Sequence, residues 1–183
     1  MAEERIIIAG FGGQGVLMLG KLLAEAGMRE GKQVTWLPSY GPEMRGGTAN
    51  CHVIISDEPI GAPIVSEATG LIAMNLPSLD RFERDVQPGG WLLLNSSLIP
   101  RAPSRRDLRA LPVPVNEIAQ QQGSQRVANV VMLGACLSLC HPVQKASVVA
   151  AIEDVLGKTK KHLLDINLNA LEAGLRFAPP VPV

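Results

Sequence analysis

Arg5-Ile6-Ile7-Ile8-Ala9-Gly10-Phe11-Gly12-Gly13-Gln14-Gly15 is the stretch whose reading decides the fold. Four apolar residues in succession, without polar alternation, predict a short strand buried on both faces, as in a parallel sheet. The glycines then predict a tight turn, and from Val16 to about Glu30 the residues Val16, Leu19, Gly20, Leu23, Ala26 and Gly27 recur at helical spacing. Gln33 to Leu37 reads as a second strand, so the first forty residues make a β-α-β unit. The pattern continues outward. Ala49 to Ser56 alternates, with Cys51, Val53 and Ile55 on one face and Asn50, His52 and Ile54 on the other. Thr69 to Asn75 predicts a buried strand, Pro77 to Val86 a short helix, and Trp91 to Ser96 a strand after the Pro88-Gly89-Gly90 break.

Pro100 to Pro114, rich in Pro and Arg, reads as an exposed connection, with Val113-Pro114-Val115 able to enter a sheet edge. Three helical stripes follow, over Ser124 to Cys140, Lys145 to Leu156 and Lys161 to Phe177. Leu164, Leu168, Leu171 and Leu175 mark the last. The expected fold is α/β: a three-layer, Rossmann-like, doubly wound and mostly parallel sheet with a helical C-terminal third. Residues 1–183 are expected to form a single domain, with 178–183 as an extended tail because prolines there cannot continue a helix.

Composition narrows the function. The 183 residues carry 17 Lys+Arg and 17 Asp+Glu, so the formal net charge is zero, and aromatics make up only 3% of the chain. The chain lacks both the positive footprint and the stacking platforms of nucleic-acid binders, so no nucleic-acid partner is expected. No stretch approaches the roughly 20 apolar residues of a membrane span, and the acidic start is unlike a secretory signal. Three cysteines, an odd number, need no disulfide framework. A cytoplasmic location is expected.

Gly10-Phe11-Gly12-Gly13-Gln14-Gly15 matches the pattern that seats a phosphate or carboxylate on free N–H groups at a helix start. The dinucleotide reading also needs an acidic side chain at the end of the second strand, and Thr35 to Tyr40 offers none. An NAD site is therefore disfavoured; glycines serving only close strand–helix packing are the plainer alternative. Ser39-Tyr40-Gly41-Pro42-Glu43-Met44-Arg45-Gly46-Gly47-Thr48 should emerge on the same carboxyl-end edge, so the two loops can face one pocket. Arg45 would be the anion reader there, or else an ion-pair partner of Glu43.

These paired loops, together with Pro88-Gly89-Gly90, Ala128-Asn129-Val130-Val131-Met132-Leu133-Gly134-Ala135 and the helix over Asn167 to Gly174, resemble the gamma subunit of 2-oxoacid:ferredoxin oxidoreductases. The form of the second loop is more similar to the 2-oxoglutarate enzymes than to the pyruvate enzymes. The resemblance implies a multi-subunit enzyme that decarboxylates a 2-oxoacid on thiamine diphosphate with magnesium, passes electrons through iron–sulfur clusters to ferredoxin and forms an acyl-CoA. It places those cofactors on alpha, beta and possibly delta subunits, with none bound by this chain alone. It gives the gamma chain a role in coenzyme A access and closure of the site. Gly12, Gly13, Gln14, Gly15, Tyr40, Gly41, Glu43, Arg45, Gly46 and Gly47 match the family's motif positions as ligand- or partner-contacting residues, none of them catalytic. A docking scaffold, a subunit of a pyruvate or branched-chain 2-oxoacid enzyme, and a stand-alone nucleotide-binding oxidoreductase are the alternatives. In isolation the chain could form a homodimer.

Lesser candidates each have a plainer reading. Cys136, Cys140 and His141 could suggest metal ligands, but without a second Cys/His set packing explains them better. Cys51 reads as a buried strand thiol. His52, sharing a face with Asn50, is an acid/base candidate or a structural hydrogen-bonding residue. Arg101, Arg105, Arg106 and Arg109, opposed by Asp107, make a basic segment that could attract coenzyme A phosphates or acidic ferredoxin, although a solvated loop is the plainer reading.

Overall fold

The structure, a computed structural model, describes residues 3–39, 47–156 and 161–177. Its strands are β1 (Glu4–Phe11), β2 (Gln33–Ser39), β3 (Thr48–Ser56), β4 (Ala68–Ala73), β5 (Val86–Asn95) and β6 (Arg109–Val113). The helices are α1 (Val16–Arg29), α2 (Leu76–Phe82), α3 (Val115–Gln121), α4 (Ala128–Cys140), α5 (Lys145–Leu156) and α6 (Lys161–Arg176). They form an α/β fold around one sheet with strand order β2-β3-β1-β4-β5-β6. Pairs β1–β4, β4–β5 and β5–β6 are parallel, whereas β3 is antiparallel to both β1 and β2. Five strands thus run one way and β3 the other. The sheet is mostly parallel, as expected, but β1 and β2 are not neighbours: the alternating strand β3 lies between them.

The two faces of the sheet sort the sequence alternation. Ile6, Ile8, Cys51, Val53, Ile55, Ile72 and Leu93 pack with α1, α3, α4, α5 and α6 in one core. Ile7, Ala9, Ile54, Leu71, Leu92 and Leu94 pack with α2 and the segment around Val65 in the other. The layers are therefore unequal, with five helices on the first face and α2 alone among described helices on the second. Every stripe position named on α1 is buried. Helix α4 is buried from Ala128 to Leu137 with no polar face, which is the pattern of a helix enclosed on all sides.

What lets α4 sit so deep is its crossing with α6. A Cβ on Gly134 would lie 2.2 Å from Leu171 O, and one on Gly174 would lie 1.9 Å from Val131 O, so the two backbones touch directly. Within α6 the seam is Ala170, Leu171 and Gly174; Leu164, Leu168 and Leu175 are only half-buried.

Several boundaries move from their expected places. β5 begins at Val86, so Pro88-Gly89-Gly90 is an irregularity inside the strand, where the pairing shifts between Ala68 and Gly70. Part of the expected connection before Pro114 is β6, an edge strand that tolerates Pro112. Of Val113-Pro114-Val115 only Val113 lies in the edge strand, since Val115 begins α3 (Val115–Gln121). The expected tail over 178–183 lies outside the described residues.

Candidate functional site

Helix α1 returns over the first face of the sheet and α2 over the second, so the crossovers diverge between β1 and β4. Their carboxyl ends form the crevice where open α/β sheets place ligands. The glycine loop stands at this crevice. Gly13 and Gly15 have φ of 95° and 73°, the left-handed region that disfavours a side chain, and Gly15 caps α1. Space beside Gly13 is open, whereas a Cβ on Gly15 would lie 2.5 Å from the Asn129 amide, whose Nδ2 donates to Gly15 O at 3.2 Å.

Gln14 is turned inward. Its Oε1 accepts from Phe11 N–H at 2.6 Å and from Asn75 Nδ2 at 2.9 Å, while its Nε2 donates to Met74 O at 3.2 Å. Buried Asn95 also donates to Met74 O, at 3.2 Å, and to Asn116 Oδ1 at 2.9 Å. The carboxyl ends of β1, β4 and β5 are thus laced by amide side chains whose bonds satisfy polar groups that burial would otherwise penalise. These three bonds hold the loop in place, and Gln14 also lines the cavity that opens beside it.

Beside this lacing a cavity of about 260 Å³ opens, lined by Gly13, Gln14, Met74, Asn116, Gln125, Arg126 and Ala128. Arg126 is exposed, and no carboxylate among the described residues pairs with it. An arginine lining the same cavity as Gly13, at the loop that starts α1, offers the kind of charge that suits an anion.

The sequence-derived residues divide in two. Gly12, Gly13, Gln14 and Gly15 form the first loop, and Gly47 meets it, since Gly12 N–H donates to Gly47 O at 3.3 Å. Tyr40, Gly41, Glu43, Arg45 and Gly46 lie outside the described residues. Asn75, Asn95, Asn116 and Arg126 were missed. A signal existed for two of them: Met74-Asn75 and Leu94-Asn95 each end an apolar run with an amide at the same edge. Asn75 also caps α2, accepting from Ser78 N–H at 2.9 Å.

Candidates elsewhere resolve into structure. Arg101 pairs with Asp80 and lies 3.9 Å from buried Glu83, and Arg105 pairs with Asp107 while donating to Glu83 O at 3.3 Å. These two arginines clamp their segment onto α2 and the 3₁₀ turn that follows it. Cys136 and Cys140 sit with sulfurs 3.5 Å apart, and Cys140 Sγ donates to Cys136 O at 3.1 Å. Among the described residues no group of three His, Cys, Asp or Glu is placed to hold a metal ion. The Cys51 thiol lies 3.6 Å from Val16 O, and burial pushes its pKa up to about 12. No described helix is long and apolar enough to cross a membrane.

A switch-point crevice, a glycine-rich strand–helix turn and an inserted antiparallel strand define a Rossmann-like α/β protein whose candidate site is the carboxyl edge of the sheet. The chain belongs to the pyruvate ferredoxin/flavodoxin oxidoreductase family, whose model it matches over residues 5–177. It is 45% identical to ketoisovalerate oxidoreductase subunit VorA of Methanothermobacter thermautotrophicus, an alignment covering 96% of this chain and 36% of that protein. The chain therefore spans about a third of that relative. It is 35% identical to 2-oxoglutarate synthase subunit KorC of Methanocaldococcus jannaschii, over 88% of this chain and 89% of that one. Among solved structures, the gamma subunit of keto/oxoacid ferredoxin oxidoreductase from Geobacter sulfurreducens superposes with a TM-score of 0.81 at 32% identity, covering 96% of this chain and 98% of that chain.

Proposed function

We propose that residues 1–183 act as one gamma-type domain of a multi-subunit 2-oxoacid:ferredoxin oxidoreductase, cytoplasmic, with 2-oxoglutarate as substrate. The observation that carries this reading is the meeting of the two motif loops at the switch-point edge, through Gly12 and Gly47, beside a cavity that presents Arg126. The similarity to gamma subunits over almost the full length of both chains supports it. The higher identity to a ketoisovalerate enzyme supports a second reading, a branched-chain 2-oxoacid as substrate.

In this account the chain carries no redox chemistry itself. Thiamine diphosphate, magnesium and iron–sulfur clusters, held on alpha, beta and possibly delta subunits, supply decarboxylation and electron transfer to ferredoxin. This domain's part is to bind coenzyme A and close the site. Gly12, Gly13 and Gly15 let a phosphate approach the backbone N–H groups at the start of α1. Arg126 and Arg45 neutralise its charge, and Tyr40, Gly41, Glu43, Gly46 and Gly47 border the ligand or the neighbouring subunit. The stand-alone dinucleotide reading loses ground for a geometric reason. β3 displaces β2 two strand spacings, about 10 Å, from β1, so the usual ribose-binding position is moved away from the glycine loop.

The test is the assembled complex carrying Arg126→Ala or Arg45→Ala. Loss of a charged hydrogen bond worth about 1.5–3 kcal/mol should raise the KM for coenzyme A roughly 10- to 100-fold while leaving the KM for the 2-oxoacid unchanged. A complex that dissociates but, where intact, keeps its coenzyme A affinity would instead support a docking scaffold. Assaying 2-oxoglutarate, pyruvate and 3-methyl-2-oxobutanoate side by side decides between the substrate readings.

A further inference from the structure

The end of α4 carries two thiols that the site above does not use. Cys136 and Cys140 stand four residues apart, so they share one face of the helix. Cys136 is fully buried, whereas Cys140, the last residue of α4, is half-buried. His141 then takes a left-handed φ of 51° and ends the helix. Cys140 Sγ donates its proton to Cys136 O at 3.1 Å, which leaves its lone pairs for the Cys136 thiol at 3.5 Å. The end of the helix thus leads to one sulfur, and that sulfur leads to the other.

We propose that Cys136 and Cys140 form a chelating site for a trivalent arsenical that bears one organic substituent. Spacing is the first reason. A two-coordinate soft ion sets its sulfurs on opposite sides, about 4.6 Å apart for bonds of about 2.3 Å, which is farther than this pair stands. Bonds of similar length on a pyramidal arsenic, meeting a little above a right angle, set them about 3.4 Å apart. The observed 3.5 Å suits the second arrangement.

Ligand number and protonation point the same way. A structural zinc-type ion asks for four donors, and among the described residues no group of three His, Cys, Asp or Glu is placed to hold one. An arsenic that brings its own carbon asks for two. The hydrogen bond with Cys136 and burial push the pKa of Cys140 up, with Glu4 adding to the rise and Arg109 opposing it, so this thiol keeps its proton at neutral pH. A metal ion must expel that proton. An organoarsenic oxide brings the acceptor itself: its As=O bond breaks, two S–As bonds form, the oxygen leaves as water with both thiol protons, and arsenic remains trivalent throughout. Once one sulfur is bound, the second closes intramolecularly at the effective concentration the helix sets. The inference is independent of the oxidoreductase reading.

The experiment treats the purified full chain with phenylarsine oxide and reads its intact mass after excess reagent is removed. A single adduct should appear, weighing one phenylarsine oxide less one water. It should be lost in Cys136→Ala and in Cys140→Ala but kept in Cys51→Ala, with circular dichroism showing that each variant is folded. Two further readouts need no variant. Dimercaptopropanol should release the adduct, whereas mercaptoethanol at equal thiol concentration should not. The folded chain, its sulfurs already near bonding geometry, should be half-modified at a reagent concentration about tenfold or more below that needed in urea. No adduct on the folded chain, an adduct that survives loss of either cysteine or disappears with Cys51, release by the monothiol, or equal modification in urea would each overturn the proposal.

Discussion

Asn75 donates from Nδ2 to Gln14 Oε1 across 2.9 Å and so bolts the first glycine loop to the end of β4. The bond spans the crevice that a dinucleotide-binding fold leaves open at its switch point. With Oε1 also holding Phe11 N–H and Nε2 holding Met74 O, one glutamine fixes the loop from three directions. Gln14→Ala should leave the exposed Phe11 N–H and the Asn75 Nδ2 amide without this acceptor, Met74 O keeping Asn95 as its donor, and lower stability by about 0.5–1.5 kcal/mol. Urea unfolding of parent and variant checks this, with Asn75→Ala expected to be non-additive with it because the two share a bond.

The α4–α6 crossing makes a sharper demand. Gly134→Ala or Gly174→Ala would drive a methyl group into backbone carbonyls rather than into a movable side chain. Each should cost about 1–3 kcal/mol or more. Gly13→Ala, with open space around it but φ of 95°, should cost only about 1–2 kcal/mol. Thermal unfolding of the three variants should rank Gly13→Ala as mildest.

Cys51 gives a pH prediction. Its thiol has an ordinary pKa of 9.0 when unfolded and about 12 when folded, so the folded state keeps a proton that the unfolded state releases. Stability from this group is complete below pH 9 and declines as pH rises from 9 toward 12, by up to about 1.4 kcal/mol per unit. Cys51→Ala should flatten the decline seen by urea unfolding between pH 8 and pH 10.5. The same thiol should resist iodoacetamide at pH 8 in the folded protein and react once urea unfolds it.

The sequence was legible where one rule governed a segment. Ile6 to Ile8 reads as a doubly buried strand because it is one, and the alternation of Cys51, Val53 and Ile55 against His52 and Ile54 gives the two faces of β3 correctly. Periodicity could not show that β3 inserts between β1 and β2, since strand order depends on contacts between distant segments. Nor could it single out Gly134 and Gly174: their meaning appears only when α4 and α6 are laid across one another. In the site, the glycine motif was readable, but the inward turn of Gln14 was not, because its partners Met74 and Asn75 lie about sixty residues away. Arg126 carries no motif and becomes a candidate only through the cavity it borders.

We propose this chain as the gamma part of a 2-oxoacid:ferredoxin oxidoreductase complex. The most direct test is reconstitution of the complex from separately purified chains, with and without this one, following ferredoxin reduction as 2-oxoacid and coenzyme A are supplied. The account predicts coenzyme A-dependent reduction with 2-oxoglutarate or 3-methyl-2-oxobutanoate that falls at least tenfold when the chain is omitted and returns when it is added back. Full activity at unchanged coenzyme A affinity in its absence would contradict the account.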